Sequence, residues 1–450
     1  MEWTLSQIQS FAPDASSLSA GEKIAREGWK TTGQTNHALW GEITGSGSKP
    51  YQVRIDLREF AYRCTCPSRK LPCKHVLGLL LKALQEPDSI PFQLEPDWIT
   101  EWLTQRDQRA EKKKEPPAQK ESAPSPQKRS DQNKRAAQRM ERVKGGMDQL
   151  TLWLNDFIRS GLAGADGKPQ SFWTEESKWL VDAQAPGVNG LLQRASEIPG
   201  SCPEWPELLL GEFGKIALLL EAFSKLDTFS PEFQSEIRQQ IGWTLNQADL
   251  EASGEKITDC WIMCGQSLET AGTIQVQRNW YRGCESRRFL LYLQFAAGKR
   301  PFDEVHLPGT FNAGEAVFWP GTSRIRGKFL SRESTAPIPF PKEAARSFSG
   351  FLTDIAQRTA ANPWTHVHPA LIGDVFVRPD SEKKGKWILR DPEGKILPIA
   401  GDDHWDFCSL SASRPITLFG EWKDQKFYPL SGWYAGRLRL SVRSREGNHA

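Results

Sequence analysis

The pattern of apolar and polar positions divides this 450-residue chain into four stretches. In the first, "SLSAGEKIAREG" has helical spacing and ends on Gly28. "HALWGEIT" and "YQVRIDL" alternate on either side of the turn-forming "GSGSKP", which predicts two antiparallel strands. "KHVLGLLLKALQ" then places Val76, Leu79, Leu80 and Leu84 on one helical face. The predicted order is strand, strand, a cysteine-rich stretch and a helix.

Residues 105–133 hold four prolines, many charges and almost nothing apolar, so burial cannot offset the entropy of ordering and a disordered linker is predicted. Helical spacing returns at about 134. Met140, Val143, Met147, Leu150, Leu154 and Phe157 form a stripe broken only by Gly145-Gly146, and further helical stretches follow around 172–183, 187–197, 205–225 and 231–248. The stripe spans little more than two heptads, so packing within this region is expected rather than a coiled-coil seam. Beyond about 258, short alternating segments such as "DCWIMCG", "RFLLYLQF", "DVFVRPD" and "ITLFGEW" predict strands, with one helix at 341–360.

The expected fold class is therefore α+β and multidomain. An N-terminal α+β domain (1–104) contains a small ββα metal-binding module at about 40–85. A basic Pro/Lys-rich linker (105–133), an α-helical region (134–257) and a mostly antiparallel β domain (258–450) follow.

Composition changes this picture little. Hydrophobic residues make up 38% and charged residues 25%, a globular balance. No apolar run approaches the roughly 20 residues of a membrane span, and the N-terminus lacks an export-signal pattern, so a cytoplasmic protein is expected. Charge is uneven: residues 105–144 carry a local +7 within a net +3.

The densest chemistry is "CTCPSRKLPCKH" at 64–75, which holds three of the eight cysteines and one of the seven histidines. Cys64, Cys66, Cys73 and His75 follow the spacing C-x-C-x6-C-x-H. Three thiolates and one imidazole suit a closed, tetrahedral structural zinc site, whereas catalytic zinc keeps a position open. Side chains two apart share one face of an extended strand, so Cys64 and Cys66 can point together. Cys73 and His75 would approach from the start of the following helix, where free N–H groups favour thiolate. No C-x-x-C redox spacing is present. The predicted cofactor is one structural Zn²⁺, compensating for a core too small to hold the module alone.

This motif, after two strands and before an apolar helix, resembles the SWIM-type zinc finger known from Swi/Snf-type ATPases, Mutator-like transposases and many bacterial proteins. "MDQLTLWLNDFIRSGLA", "LVDAQAPGVNGLL" and "ITLFGEWKDQKFYPLS" are similar to segments of a bacterial family with an N-terminal SWIM finger followed by a long body. The resemblance implies that Cys64, Cys66, Cys73 and His75 bind zinc and that the finger contacts protein or DNA. An adaptor of an ATPase machine is a further reading.

Cations around the cluster (Arg54, Arg58, Arg63, Arg69, Lys70 and Lys74) outnumber Asp56 and Glu59. Arg63, Arg69, Lys70 and Lys74 are the candidate contacts to a protein partner or, alternatively, to DNA or RNA through phosphate. The same charges would also balance a thiolate-rich site. Oligomeric state is not legible.

No phosphate loop, H-E-x-x-H or nucleophile elbow occurs, and a non-enzymatic protein is expected. His366 with His368, and Asp402, Asp403 and His404, are the residues an unrecognised site would draw on, although a surface pair and an acidic turn are the simpler readings. Cys260, Cys264 and Cys284 are expected to be small core residues.

Overall fold

Alternating strand faces give the N-terminal unit two cores. The computed structural model describes residues 5–13, 15–26, 28–45, 49–58, 60–68, 70–114, 126–243, 245–271, 274–298, 300, 302–335, 347–434 and 437–440. Helices α1 (Leu5–Phe11) and α2 (Ala15–Arg26) lead into a four-stranded antiparallel sheet of β1 (Trp29–Gln34), β2 (Ala38–Ile43), β3 (Tyr51–Asp56) and β4 (Ala61–Cys64), in that order. Helices α3 (Lys74–Gln85) and α4 (Asp97–Lys114) follow. Leu39, Val53 and Ile55 pack on Val76, Leu77 and Leu80 of α3, while Ala38 and Trp40, on the opposite face, meet Ile99, Trp102 and Leu103 of α4. A Cβ on Gly78 would lie 2.6 Å from Ile24 Cγ2 and 3.1 Å from the Gly21 carbonyl, so α2 and α3 cross closely only because that position is bare.

Three expectations change. The sheet has four strands rather than two, and the core beneath it is substantial. In addition, residues 105–114 and 126–133, read from composition as disordered linker, continue helices; residues 115–125 lie outside the described residues. The apolar face of α4 anchors its first turns, and Lys, Arg, Glu and Gln are good helix formers that carry it onward.

The middle region is built on α5 (Pro126–Ser160), α6 (Gln170–Asp182), α7 (Pro186–Ser196), α8 (Trp205–Ser224), α9 (Pro231–Ile241) and α10 (Gln247–Ser253). Val143, Met147, Leu150, Leu154 and Phe157 are buried against Trp173, Leu191, Leu192, Phe213 and Ile216, so the stripe packs internally as expected. Gly145-Gly146 does not interrupt α5; Gly146 instead admits Ala183, whose Cβ lies 2.6 Å from where a side chain would begin.

Two further sheets complete the fold. The first comprises β5 (Glu255–Ala271), β6 (Ile274–Gly283), β7 (Phe289–Ala297), β8 (Phe311–Phe318), β9 (Gly327–Phe329) and β10 (Glu333–Thr335), ordered β10-β8-β5-β6-β7 with β9 beside β8. Helix α11 (Phe348–Ala361) covers the predicted 341–360 helix from 348 on; 341–346 lie outside the described residues. The second sheet holds β11 (His368–Pro379), β12 (Trp387–Arg390), β13 (Ile396–Ile399), β14 (Ile416–Lys423), β15 (Lys426–Tyr434) and β16 (Arg437–Leu440), with α12 (Trp405–Leu410) between β13 and β14. Its order is β13-β12-β11-β14-β15-β16. The sheets share a core of Ile262, Cys264, Trp280, Leu371, Phe419 and Leu430. Across it, Glu421 Oε1 accepts from Trp280 Nε1 at 2.7 Å and from Ser267 Oγ at 2.6 Å.

Among the described residues, no helix is long and apolar enough to cross a membrane.

Candidate metal centre

β4 pairs with β3 so that Cys64 lies opposite Val53 and Tyr62 opposite Ile55, which turns Cys64 toward the α3 side of the sheet. Beyond the strand, Thr65 N donates to Gln52 O at 3.1 Å, which keeps the chain extended and brings Cys66 to the same side. Cys73 is the N-cap of α3 with no side-chain capping bond, and His75 stands in the helix's first turn; both are buried. The thiol of an N-cap Cys is thus free for another task, close to the positive end of the helix.

The four ligand atoms lie within 4.8 Å of one another. His75 Nδ1 is 3.8 Å from Cys64 Sγ and 3.9 Å from Cys73 Sγ. A zinc tetrahedron with Zn–S of about 2.3 Å and Zn–N of about 2.0 Å has S–S edges of about 3.8 Å and S–N edges of about 3.5 Å, so the two Sγ–Nδ1 separations lie within about 0.4 Å of it, with Nδ1 as the ligating nitrogen. The protonation pattern agrees. Hydrogen bonds with Cys66 and then Cys73 push the Cys64 thiol far up, and those with Cys64 and Cys73 hold Cys66 well below the usual thiol range. Thiols this close cannot all ionise without a cation, and a dication at their centre resolves the conflict. Cys64, Cys66, Cys73 and His75 would hold one structural zinc, whose contribution is to cross-link β4 to α3. The family model of the SWIM zinc finger matches residues 51–84.

The chain carries a SWIM zinc finger. A second model, the SWIM-associated four-helix bundle domain, matches residues 138–241, the stretch formed by most of α5 and by α6 to α9. No curated protein and no solved structure matches the chain.

Among the described residues, the cations around the SWIM finger do not form one patch. Arg58 pairs with Asp56 at 3.0 Å and Asp107 at 2.9 Å, and Arg106 reaches Asp56 at 3.3 Å, tying α4 to the sheet. Burial alone would raise the Asp56 carboxyl, but the hydrogen bonds from Arg58 win and hold it below the ordinary carboxylate range. Arg54 lies over the Trp98 ring at 5.1 Å. Arg63, opposite Arg54 on the next strand, stands on the α4 side, away from the ligands. Lys70 lies in the loop between ligands and Lys74 in the first turn of α3; both are exposed, and Arg69 lies outside the described residues. Ser68 ties the loop to itself, its hydroxyl accepting from Lys70 N at 3.3 Å and donating to Lys70 O at 3.1 Å.

The other sequence candidates are held in separate surroundings. His366 Nε2 accepts from Arg194 Nη2 at 2.8 Å, whereas His404 is buried against Trp387 with Nε2 2.8 Å from the Ala400 carbonyl. Asp402 is exposed and pairs with Lys386. Cys264 is fully buried, and Cys260 and Cys284 pack beside it, as expected of core thiols. A group the sequence did not suggest is the buried His306, whose Nδ1 lies 2.5 Å from Tyr281 Oη and 2.6 Å from Arg332 Nη1.

Proposed function

We propose that the SWIM finger is the interaction module of a non-catalytic cytoplasmic protein, and that it presents the loop between Cys66 and Cys73 to a protein partner. The observation that carries this reading is the loop itself: zinc ligands bracket it, Ser68 braces it, and Lys70 and the 39%-exposed Leu71 stand at its surface. An apolar side chain held outward beside a cation suits a protein surface. Arg58 and Arg54 already have internal partners, which weakens a phosphate-binding patch. Three thiolates committed to a metal favour a reducing compartment.

Exposed Arg63, Lys70 and Lys74 support a second reading, contact with nucleic acid. Affinity purification with the intact chain and with a Lys70→Ala/Leu71→Ala variant that retains its zinc separates the two. A partner protein lost by the variant supports the first reading, and recovery of the same set by both overturns it. Nucleic-acid binding whose affinity falls steeply with salt, by about 0.9 log unit per log unit of salt for each phosphate contacted, would favour the second.

A further inference from the structure

A cavity of about 230 Å³ lies where the first β sheet, the end of α11 and the start of β11 meet. Arg287, Arg288, Arg324 and Arg358 line it, and among the described residues none of the lining is acidic. Thr322 and Ser323 add hydroxyl groups, and Phe289 adds an apolar wall. The carboxylates that steady the guanidinium groups stand outside the lining. Glu255 reaches Arg288 at 3.4 Å and Arg324 at 3.4 Å, and Asp354 reaches Arg358 at 2.6 Å.

Two features set this cavity apart from an ordinary surface cluster. Arg287 (φ 58°) and Arg324 (φ 42°) both occupy the left-handed region, a conformation that persists when the surroundings enforce it. For Arg287 the enforcing group is Asp259, whose buried carboxylate accepts from the backbone N–H of Cys260 (2.6 Å), Glu285 (3.1 Å) and Ser286 (2.8 Å). The second feature is His368, 5% exposed, which lines the cavity with its Nε2 3.5 Å from Thr359 Oγ1.

We infer that this cavity binds a phosphate dianion, either free or as the phosphate of a small phosphomonoester. Guanidinium forks match phosphate oxygens in pairs, and hydroxyl donors complete such a site. The volume is below the roughly 300–1,000 Å³ of pockets for drug-sized ligands, so it admits a phosphate and a few attached atoms rather than a whole nucleotide. Phe289 is the surface against which those atoms would rest.

Titration calorimetry on the zinc-loaded full chain, with inorganic phosphate and with glycerol 3-phosphate as probes, tests this. The expected result is saturable binding near one per chain, weakened about tenfold or more in Arg287→Gln and Arg324→Gln, since a charge-assisted pair contributes on the order of one such factor. Arg358→Lys keeps the charge but loses the fork and should weaken binding several-fold. Tighter binding of glycerol 3-phosphate supports a phosphomonoester, and tighter binding of inorganic phosphate supports the free ion. Ser323→Ala, which removes one hydroxyl, serves if an arginine variant fails to fold. Absence of saturable binding of both probes to the intact chain overturns the inference, as does binding unaltered by the folded variants.

Discussion

Chelating the zinc, or replacing Cys64 with Ser, should release β4 and the ligand loop while leaving the rest of the N-terminal unit folded. β4 is an edge strand that meets β3 through only four cross-strand pairs. About four backbone bonds at about 1 kcal/mol each are nearly cancelled by about 1 kcal/mol or more of backbone entropy for each of its residues. What remains without metal is the half-buried Tyr62 ring against Phe11, with centroids 5.3 Å apart, and Phe60. That contact contributes on the order of 1–2 kcal/mol. With zinc, opening β4 must also strip Cys64 from the metal, against an apparent binding energy on the order of 10 kcal/mol.

Amide exchange across residues 61–66 should therefore speed up until protection is only about 5- to 30-fold, at roughly 1.4 kcal/mol per factor of ten. Residues 38–43, 51–56 and 76–81 should stay protected, because Leu39, Val53, Ile55, Val76, Leu77 and Leu80 are buried among themselves. Collapse of all these segments together would refute the reasoning and restore the view of a core unable to stand without zinc. Cys73→Ser is the poorer variant: Ser is a good N-cap, and it would stabilise α3 at the position where Cys73 makes no capping bond.

Two further outcomes test the body. Buried Glu236 accepts from Asn362 Nδ2 at 2.6 Å, Gln240 Nε2 at 3.0 Å and Thr322 N at 3.1 Å, so Glu236→Ala should cost about 3 kcal/mol in urea unfolding, and Glu236→Gln less; an unchanged midpoint would refute the importance of these bonds. Burial, followed by the charges of Arg194 and Lys215, lowers His366 to about 3, below the ordinary 6.5. The unfolded chain then binds a proton that the native state refuses between those values. The stability from His366 is thus complete above about pH 6.5 and is lost as pH falls toward 3. The urea midpoint should drop from about pH 7 to about pH 5, less steeply in His366→Gln, and an identical slope would refute the assignment.

The zinc site was legible because its chemistry is local: Cys64, Cys66, Cys73 and His75 sit within twelve positions, and their spacing alone decides which can converge. The α5 stripe was legible because its period continues through Gly145-Gly146. β1 and β4 were not, since "WKTTGQ" is a polar edge strand and "AYRC" is too short to show alternation. The charged end of α4 looked unordered because its apolar face stops at Leu103, although helix propensity does not. The arginine cavity draws on three separated stretches whose basic residues, taken singly, read as solvated surface.

The finger's place on the body follows from contacts that the sequence reading did not anticipate. Leu307, from the connection between β7 and β8, is buried in the same core as Val76 and Leu80, with Val305 packed beside it. Trp364, just before β11, is buried in the helical core, where its Nε1 donates to Lys215 O at 2.9 Å and its ring stacks near Phe233. Each of these side chains leaves its own unit to fill another's interior. Interiors pack at crystal-like density, so neither can be withdrawn without opening a cavity that costs about 2–5 kcal/mol. Zinc then ties β4 to α3 and fixes the loop's shape, while Leu307 joins the finger's core to the connection between β7 and β8.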